Sequence, residues 1–175
     1  MTVSMLVAAA FAKPLAKKFG KAEISAVANI VAAVMSVALF FIRPQNVWTY
    51  VAITTVSWFG LGIFTMVSWA LITDVIDYSE LKNGIREDGT VYALYSFARK
   101  LGQAGAAGLS GALLTLVGYS EITAFDNGVV NGIFNISTLL PAVGFALLAA
   151  ILWFWYPLHK KQVESNILKL KEKRG

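Results

Sequence analysis

Cysteine is absent from the 175 residues, histidine occurs once, as His159, and charged side chains make up 14% of the chain. Without thiols there is no disulfide framework and no thiol-ligated metal or redox site. The single histidine sits at the edge of an apolar run, no Gly-rich phosphate loop ends in Lys-Ser/Thr, and Gly108-Leu109-Ser110-Gly111 is not a nucleophile elbow. No covalent chemistry is therefore expected, and the chain is read as no enzyme, with no metal or organic cofactor. Ser/Gly-rich linkers are missing too, so residues 1–175 read as a single domain. The formal charge of +5 does not imply a nucleic-acid partner, because the basic residues follow the gaps between apolar runs instead of forming one face.

What the chain has in excess is apolar surface: 57% of its residues, with a mean hydropathy of +0.65. That exceeds what one soluble core requires. Four apolar runs, at 22–42, 47–73, 90–119 and 129–156, are each long enough to cross ~30 Å of hydrocarbon, the shortest reaching ~31 Å as a helix. A fifth, 1–12, reaches only ~18 Å before Lys13-Pro14 and reads as a partial helix. A signal peptide carries its positive charge before the apolar stretch, whereas Lys13, Lys17, Lys18 and Lys21 follow it here. The expected fold class is all-α, a polytopic transmembrane helical bundle in a lipid bilayer.

Placing the Lys13–Lys21 segment in the cytoplasm leaves twelve Lys and Arg side chains inside, one outside and two within a span, as the positive-inside rule requires. Residues 157–175 then form a cytoplasmic basic tail, and the carboxy terminus is inside. Val163, Ile167 and Leu170 recur along it at helical spacing among lysines; it either lies on an anionic leaflet or is a solvated tail.

Polar side chains inside the spans mark candidate function. Lys100 falls ~15 Å into its span, near the midplane, and shares a helix face with Tyr92, Ser96 and Gln103. A buried cation at that depth needs compensation, either from a transport pathway or from a structural ion pair. Arg99 points about 100° away and requires a separate acidic or carbonyl partner. In the second full span Trp58, Gly62, Thr65, Trp69 and Thr73 repeat on one face, and an indole beside hydroxyls suits a sugar ring, although membrane tryptophans also serve as packing. Asn131, Asn135 and Thr138 share a face of the last span and either line a cavity or bond to a neighbouring helix. Ala104, Gly108 and Ala112 form a small-residue stripe that lets another helix approach closely. Asp74, Asp77 and Glu80, three residues apart, project from one face at a helix end, with Lys82, Arg86, Glu87 and Asp88 following. They form either a switching gate at a cytoplasmic mouth or a solvated charged loop, and need cations from Arg86, Lys82 or helices beyond this chain.

Three stretches taken together resemble the glycoside-pentoside-hexuronide:cation symporter family of the major facilitator type, which includes the melibiose and glucuronide carriers. They are Trp69-Ala70-Leu71-Ile72-Thr73-Asp74-Val75-Ile76-Asp77-Tyr78, Gly84-Ile85-Arg86-Glu87-Asp88-Gly89, and Tyr92 through Gln103 with its Arg99-Lys100-Leu101-Gly102 centre. Lys17-Lys18-Phe19-Gly20-Lys21 resembles the basic loop between helices eight and nine, and Trp155-Tyr156-Pro157-Leu158 the end of helix twelve. The resemblance implies a partial major facilitator fold, the end of helix eight plus helices nine to twelve, in a cytoplasmic (inner) membrane. It implies a sugar substrate, Na+ or H+ as coupling cation with a site mostly in an amino-terminal six-helix half, and inactivity without that half, whether part of the same or a separately encoded carrier. Lys100, with Ser96 one turn before it, is then the lysine of sugar and cation coupling. Asp74, Asp77, Glu80, Arg86 and Asp88 become the cytoplasmic gate. The sugar-lining tryptophan of melibiose carriers falls at Thr65 here, which puts Trp69 forward for that role. The competing reading is a split-gene or truncated membrane protein with a structural or assembly role and no transport of its own.

Overall fold

The computed structural model describes residues 2–174; Met1, at the start of the expected partial helix, and Gly175, at the end of the tail, lie outside the described residues. The chain folds as α1 (Thr2–Phe19), α2 (Lys21–Ile42), α3 (Val47–Asn83), α4 (Asp88–Leu116), α5 (Asn127–Ala150), a π-helical turn (Ile151–Trp155) and α6 (Lys160–Arg174). Among the described residues there is no strand.

The helices outrun the apolar runs that announced them. α1 does not stop at Lys13-Pro14 but carries Pro14 within it and continues to Phe19. α3 continues from Thr73 to Asn83, where Gly84 in the left-handed region (φ 79°) closes it and its N–H reaches the Glu80 carbonyl. Three helical segments, Lys21–Ile42, Val47–Asn83 and Asn127–Trp155, are long and apolar enough to cross a membrane. α4, expected as another, has the length at 29 residues. It is not among the three, because Arg99, Lys100, Gln103 and four glycines dilute its middle.

The core lies between α1, α2, α3 and the π turn, where Ala8, Ala12, Ala22, Ala26, Ile63, Val67, Leu71 and Leu152 are buried together. Small residues let the backbones approach. At Gly60 an added Cβ would stand 2.4 Å from the Ala28 carbonyl oxygen and 2.9 Å from the Ala32 Cβ, so only glycine fits. Beside this contact the fully buried Asn29 amide donates to the Ser25 carbonyl at 2.8 Å, and to the Gly60 carbonyl of α3 at 3.5 Å. α5 packs along α2, with Trp58 edge-on to Phe145 joining it to α3. This contact makes Trp58 a packing residue.

α6 is helical, as its spacing predicts, but it is neither free tail nor leaflet-bound helix alone. Leu158, Asn166 and Leu170 are buried, and the helix docks on α3 and α2. Its first N–H, at Lys160, donates 2.9 Å to the Glu23 carboxylate of α2, which caps α6 from another helix.

Candidate functional site

Two charged clusters and one aromatic cluster collect some of the residues singled out above. At the end of the bundle where α1 meets α2, Lys21 donates to Asp74 at 2.6 Å and to the Ala70 carbonyl at 3.3 Å. The Asp74 side chain is only 6% exposed and its second oxygen has no partner among the described residues, of which Lys21 compensates this nearly buried anion. The partner of Asp74 is thus neither Arg86 nor Lys82 nor a base on helices beyond this chain, as the sequence suggests, but Lys21. The two are 53 residues apart, and no local spacing connects them.

Arg86 gathers the other acids. Its Nη1 donates to Asp77 at 2.8 Å and Glu80 at 3.0 Å, and its Nε and Nη2 fork onto Asp88 at 2.9 and 3.0 Å. The continued winding of α3 through Asn83 stacks Asp77 and Glu80 on one face, and the four-residue link to α4 swings Arg86 across them. These carboxylates, Asp77 most and then Glu80 and Asp88, raise the guanidinium pKa above its ordinary value, so Arg86 remains a cation throughout the accessible pH range. Lys82 forms no ion pair among the described residues.

Further along, Trp69 is half-exposed and sits 5.9 Å from the Tyr92 ring and 5.6 Å from that of Tyr95, which meets it edge-on. These ring contacts join α3 to α4 and bring Trp69 and Tyr92 together. Tyr95 was not singled out from the sequence; its spacing of three from Tyr92 was the available signal. Thr65, one turn from Trp69, is exposed and bonds back to the Leu61 carbonyl. Ser96, Lys100 and Gln103 continue along α4 beyond the aromatic seam, exposed and without hydrogen bond or ion pair among the described residues, and Arg99 is exposed likewise. Lys100 lies ~18 Å along a helix of ~43 Å, far from either end. α4 buries no described residue, and at Gly102, Gly105, Gly108 and Gly111 an added Cβ would meet nothing within 4 Å. Among the described residues its glycines thus face open space, and Ala104 and Ala112 are exposed with them.

At the opposite end Arg43 donates to Asn131 at 3.3 Å and Asn135 at 2.7 Å, with its guanidinium 5.5 Å from the rings of both Phe40 and Phe134. Of the two roles open to the asparagine face, these bonds place it on a neighbouring helix. Thr138 is buried and turns back onto its own helix. Among the described residues no group of His, Asp and Glu is arranged to hold a metal.

Known proteins agree with the architecture. The family described as MFS/sugar transport protein matches residues 1–160. An uncharacterized symporter of Bacillus subtilis, YjmB, is 32% identical over 93% of this chain and 35% of its own length. A putative sulfoquinovose importer of Escherichia coli is 30% identical over 91% of this chain and 34% of its own, and a glucuronide carrier protein homolog of the same organism is 34% identical over 66% and 25%. No solved structure matches. The chain thus spans about a quarter to a third of the length of these curated relatives. An all-helical bundle with three membrane-competent segments and a family match over nearly its whole length make this chain a member of the MFS/sugar transport family of integral membrane proteins.

Proposed function

We propose that the chain is the carboxy-terminal part of a secondary active transporter that moves glycosides, pentosides or hexuronides together with Na+ or H+ by alternating access, and that it transports nothing alone. The observation that carries this reading is the open flank of α4. A helix with a cation at its centre, a polar face and a glycine stripe stands clear of its own bundle, held by Trp69, Tyr92 and Tyr95. A lysine at that depth in hydrocarbon costs several kcal/mol unless a polar cavity or counter-charge receives it. Covering the flank with an amino-terminal six-helix half encloses Lys100, Ser96 and Gln103 in such a cavity and leaves the Trp69 indole face beside it for a sugar ring.

In this reading Lys100 supplies the charge that sugar and coupling ion exchange, while Trp69 and Tyr92 orient the sugar. The two charged clusters act as the gate, with the basic end and the carboxy terminus in the cytoplasm. Arg86 on Asp77, Glu80 and Asp88 and Lys21 on Asp74 hold the α3 end in one conformation. In proteoliposomes carrying the full-length parent, Lys100→Ala is expected to abolish gradient-driven sugar accumulation. Retained accumulation defeats the assignment. Transport by the 175-residue chain without an amino-terminal half defeats the claim that it is a part, and no rescue by a co-expressed half favours a structural role.

A further inference from the structure

Among the described residues the plane of the Trp69 indole is set by aromatic rings and not by hydrogen bonds. Its N–H has no acceptor there, and the residue is 50% exposed, so neither a polar partner nor close burial fixes the ring. Two tyrosines of α4 supply what is missing. The Tyr92 ring lies 5.9 Å away and inclined by 40°, and the Tyr95 ring lies 5.6 Å away and meets the indole edge-on at 65°. Residues three apart on a helix project about 60° from one another and ~4.5 Å along its axis, so the two rings reach the indole at different heights and angles.

A sugar lays its axial hydrogens on an indole face while its hydroxyls reach donors and acceptors elsewhere in the site. Both demands are met together only when the indole keeps one plane. Ser96 follows Tyr95 directly on α4, so the ring that abuts Trp69 and a hydroxyl of the site sit on one stretch of backbone. The Tyr95 hydroxyl has no hydrogen bond among the described residues, and its ring is what makes the contact.

We propose that Tyr95 is a positioning residue of the sugar site: its ring locks the Trp69 indole in the plane on which the sugar stacks, without touching the sugar itself. The inference rests on the reading of Trp69 as the stacking residue and adds a residue that acts only through that indole. An edge-on aromatic pair is worth a factor of about two to twelve in an equilibrium constant. Freed from that contact, the indole samples other rotamers, and the sugar binds only to the fraction of carriers that hold the receptive plane. The loss therefore falls on KM and leaves the maximal rate, because the complex is the same once the sugar is stacked.

Two measurements test this. In the 175-residue chain labelled with 5-fluorotryptophan, each of the five tryptophans gives a fluorine resonance, and that of Trp69 is the one lost in Trp69→Phe. Tyr95→Leu should move it and leave the other four in place, which shows the fold intact; an unmoved resonance overturns the proposal. In proteoliposomes carrying the full-length parent, radiolabelled methyl glucuronide, methyl xyloside and methyl galactoside are offered, and the one accumulated fastest serves as probe. Tyr95→Leu should raise KM about two- to twelvefold at unchanged maximal rate, and Tyr95→Phe, which keeps the ring, should restore the parent value. Trp69→Leu should raise KM further, and Trp69→Leu/Tyr95→Leu should match Trp69→Leu alone, since a residue acting through the indole then has nothing to act on. A KM raised by Trp69→Leu and untouched by Tyr95→Leu overturns this inference and leaves the sugar site standing. A KM untouched by Trp69→Leu, or accumulation of none of the three sugars, defeats the site itself. Tyr95→Phe as weak as Tyr95→Leu makes the hydroxyl a sugar contact and also overturns the proposal. So does an equal rise in Phe97→Leu, an exposed ring about 200° around α4 from Tyr95, which marks a general loosening of the helix.

Discussion

Replacing Lys21 by alanine isolates a single interaction at the base of the bundle. Asp74 is 6% exposed and Lys21 30%, their contact is 2.6 Å, and the second Asp74 oxygen already lacks a partner. Removing the ammonium leaves an uncompensated, nearly buried carboxylate. Breaking a fully buried pair this way costs ~3–5 kcal/mol, and the partial exposure of Lys21 reduces this to about 2–3 kcal/mol. For a chain of this size that lowers the melting midpoint by about 5–10 °C. Circular dichroism melts in one detergent give the comparison. Asp74→Asn, neutral and of the same shape, should cost about 1 kcal/mol or less, and Lys21→Ala/Asp74→Asn should melt close to Asp74→Asn alone because the orphaned charge is gone. A Lys21→Ala midpoint within 2 °C of the parent, or a double variant showing the full sum of the single losses, refutes the claim that Lys21 compensates Asp74.

Glycine tells the two halves of the bundle apart. Gly60→Ala should destabilise by about 1–3 kcal/mol because its methyl meets the Ala28 carbonyl, whereas Gly108→Ala, with nothing within 4 Å, should stabilise the isolated chain by up to ~1 kcal/mol in a melt, yet impair uptake by the full carrier. At the other end of α2, Arg43 holds a left-handed φ of 43°. Arg43→Ala should cost about 1 kcal/mol through the lost Asn131, Asn135 and ring contacts, and Arg43→Gly should cost less, because glycine accepts that backbone without strain. Arg86→Ala should leave the melting midpoint almost unchanged while hydrogen exchange across residues 84–91 rises. The parent should approach the variant's exchange near 1 M salt, where screening acts over ~3 Å.

Local periodicity explains what was legible before any coordinates. Apolar runs locate helices because backbone in lipid must bond to itself, and the three-residue spacing of Asp77 and Glu80 puts both on one face with Arg86 as their partner, whereas Asp74 is nearly buried against Lys21. Helix ends were less legible. α3 passes ten residues beyond its apolar run, since winding needs only intrahelical bonds and a stop such as Gly84, not oil. Lys13-Pro14 did not end α1 for a related reason: proline within a helix removes one donor without ending the winding. Pairings across the bundle, Lys21 with Asp74, Arg43 with Asn135 and Lys160 with Glu23, left no trace in the sequence, because each depends on how helices pack and not on spacing along one of them. Lys100 stood out by its depth, but its surroundings belong to a flank that this chain leaves bare.

The π turn at Ile151–Trp155, where the Tyr156 N–H reaches back to the Ile151 carbonyl, holds one residue more than an α-helical turn would. Everything downstream is therefore rotated by about 100° from where uninterrupted winding would put it. That offset aims the Tyr156 hydroxyl at the Leu71 carbonyl, 3.3 Å away, and delivers Leu158 and the first amide of α6 to their seats. Excising one residue there would preserve helicity yet misdirect the whole terminus, so the length of that short stretch matters more than which side chains fill it.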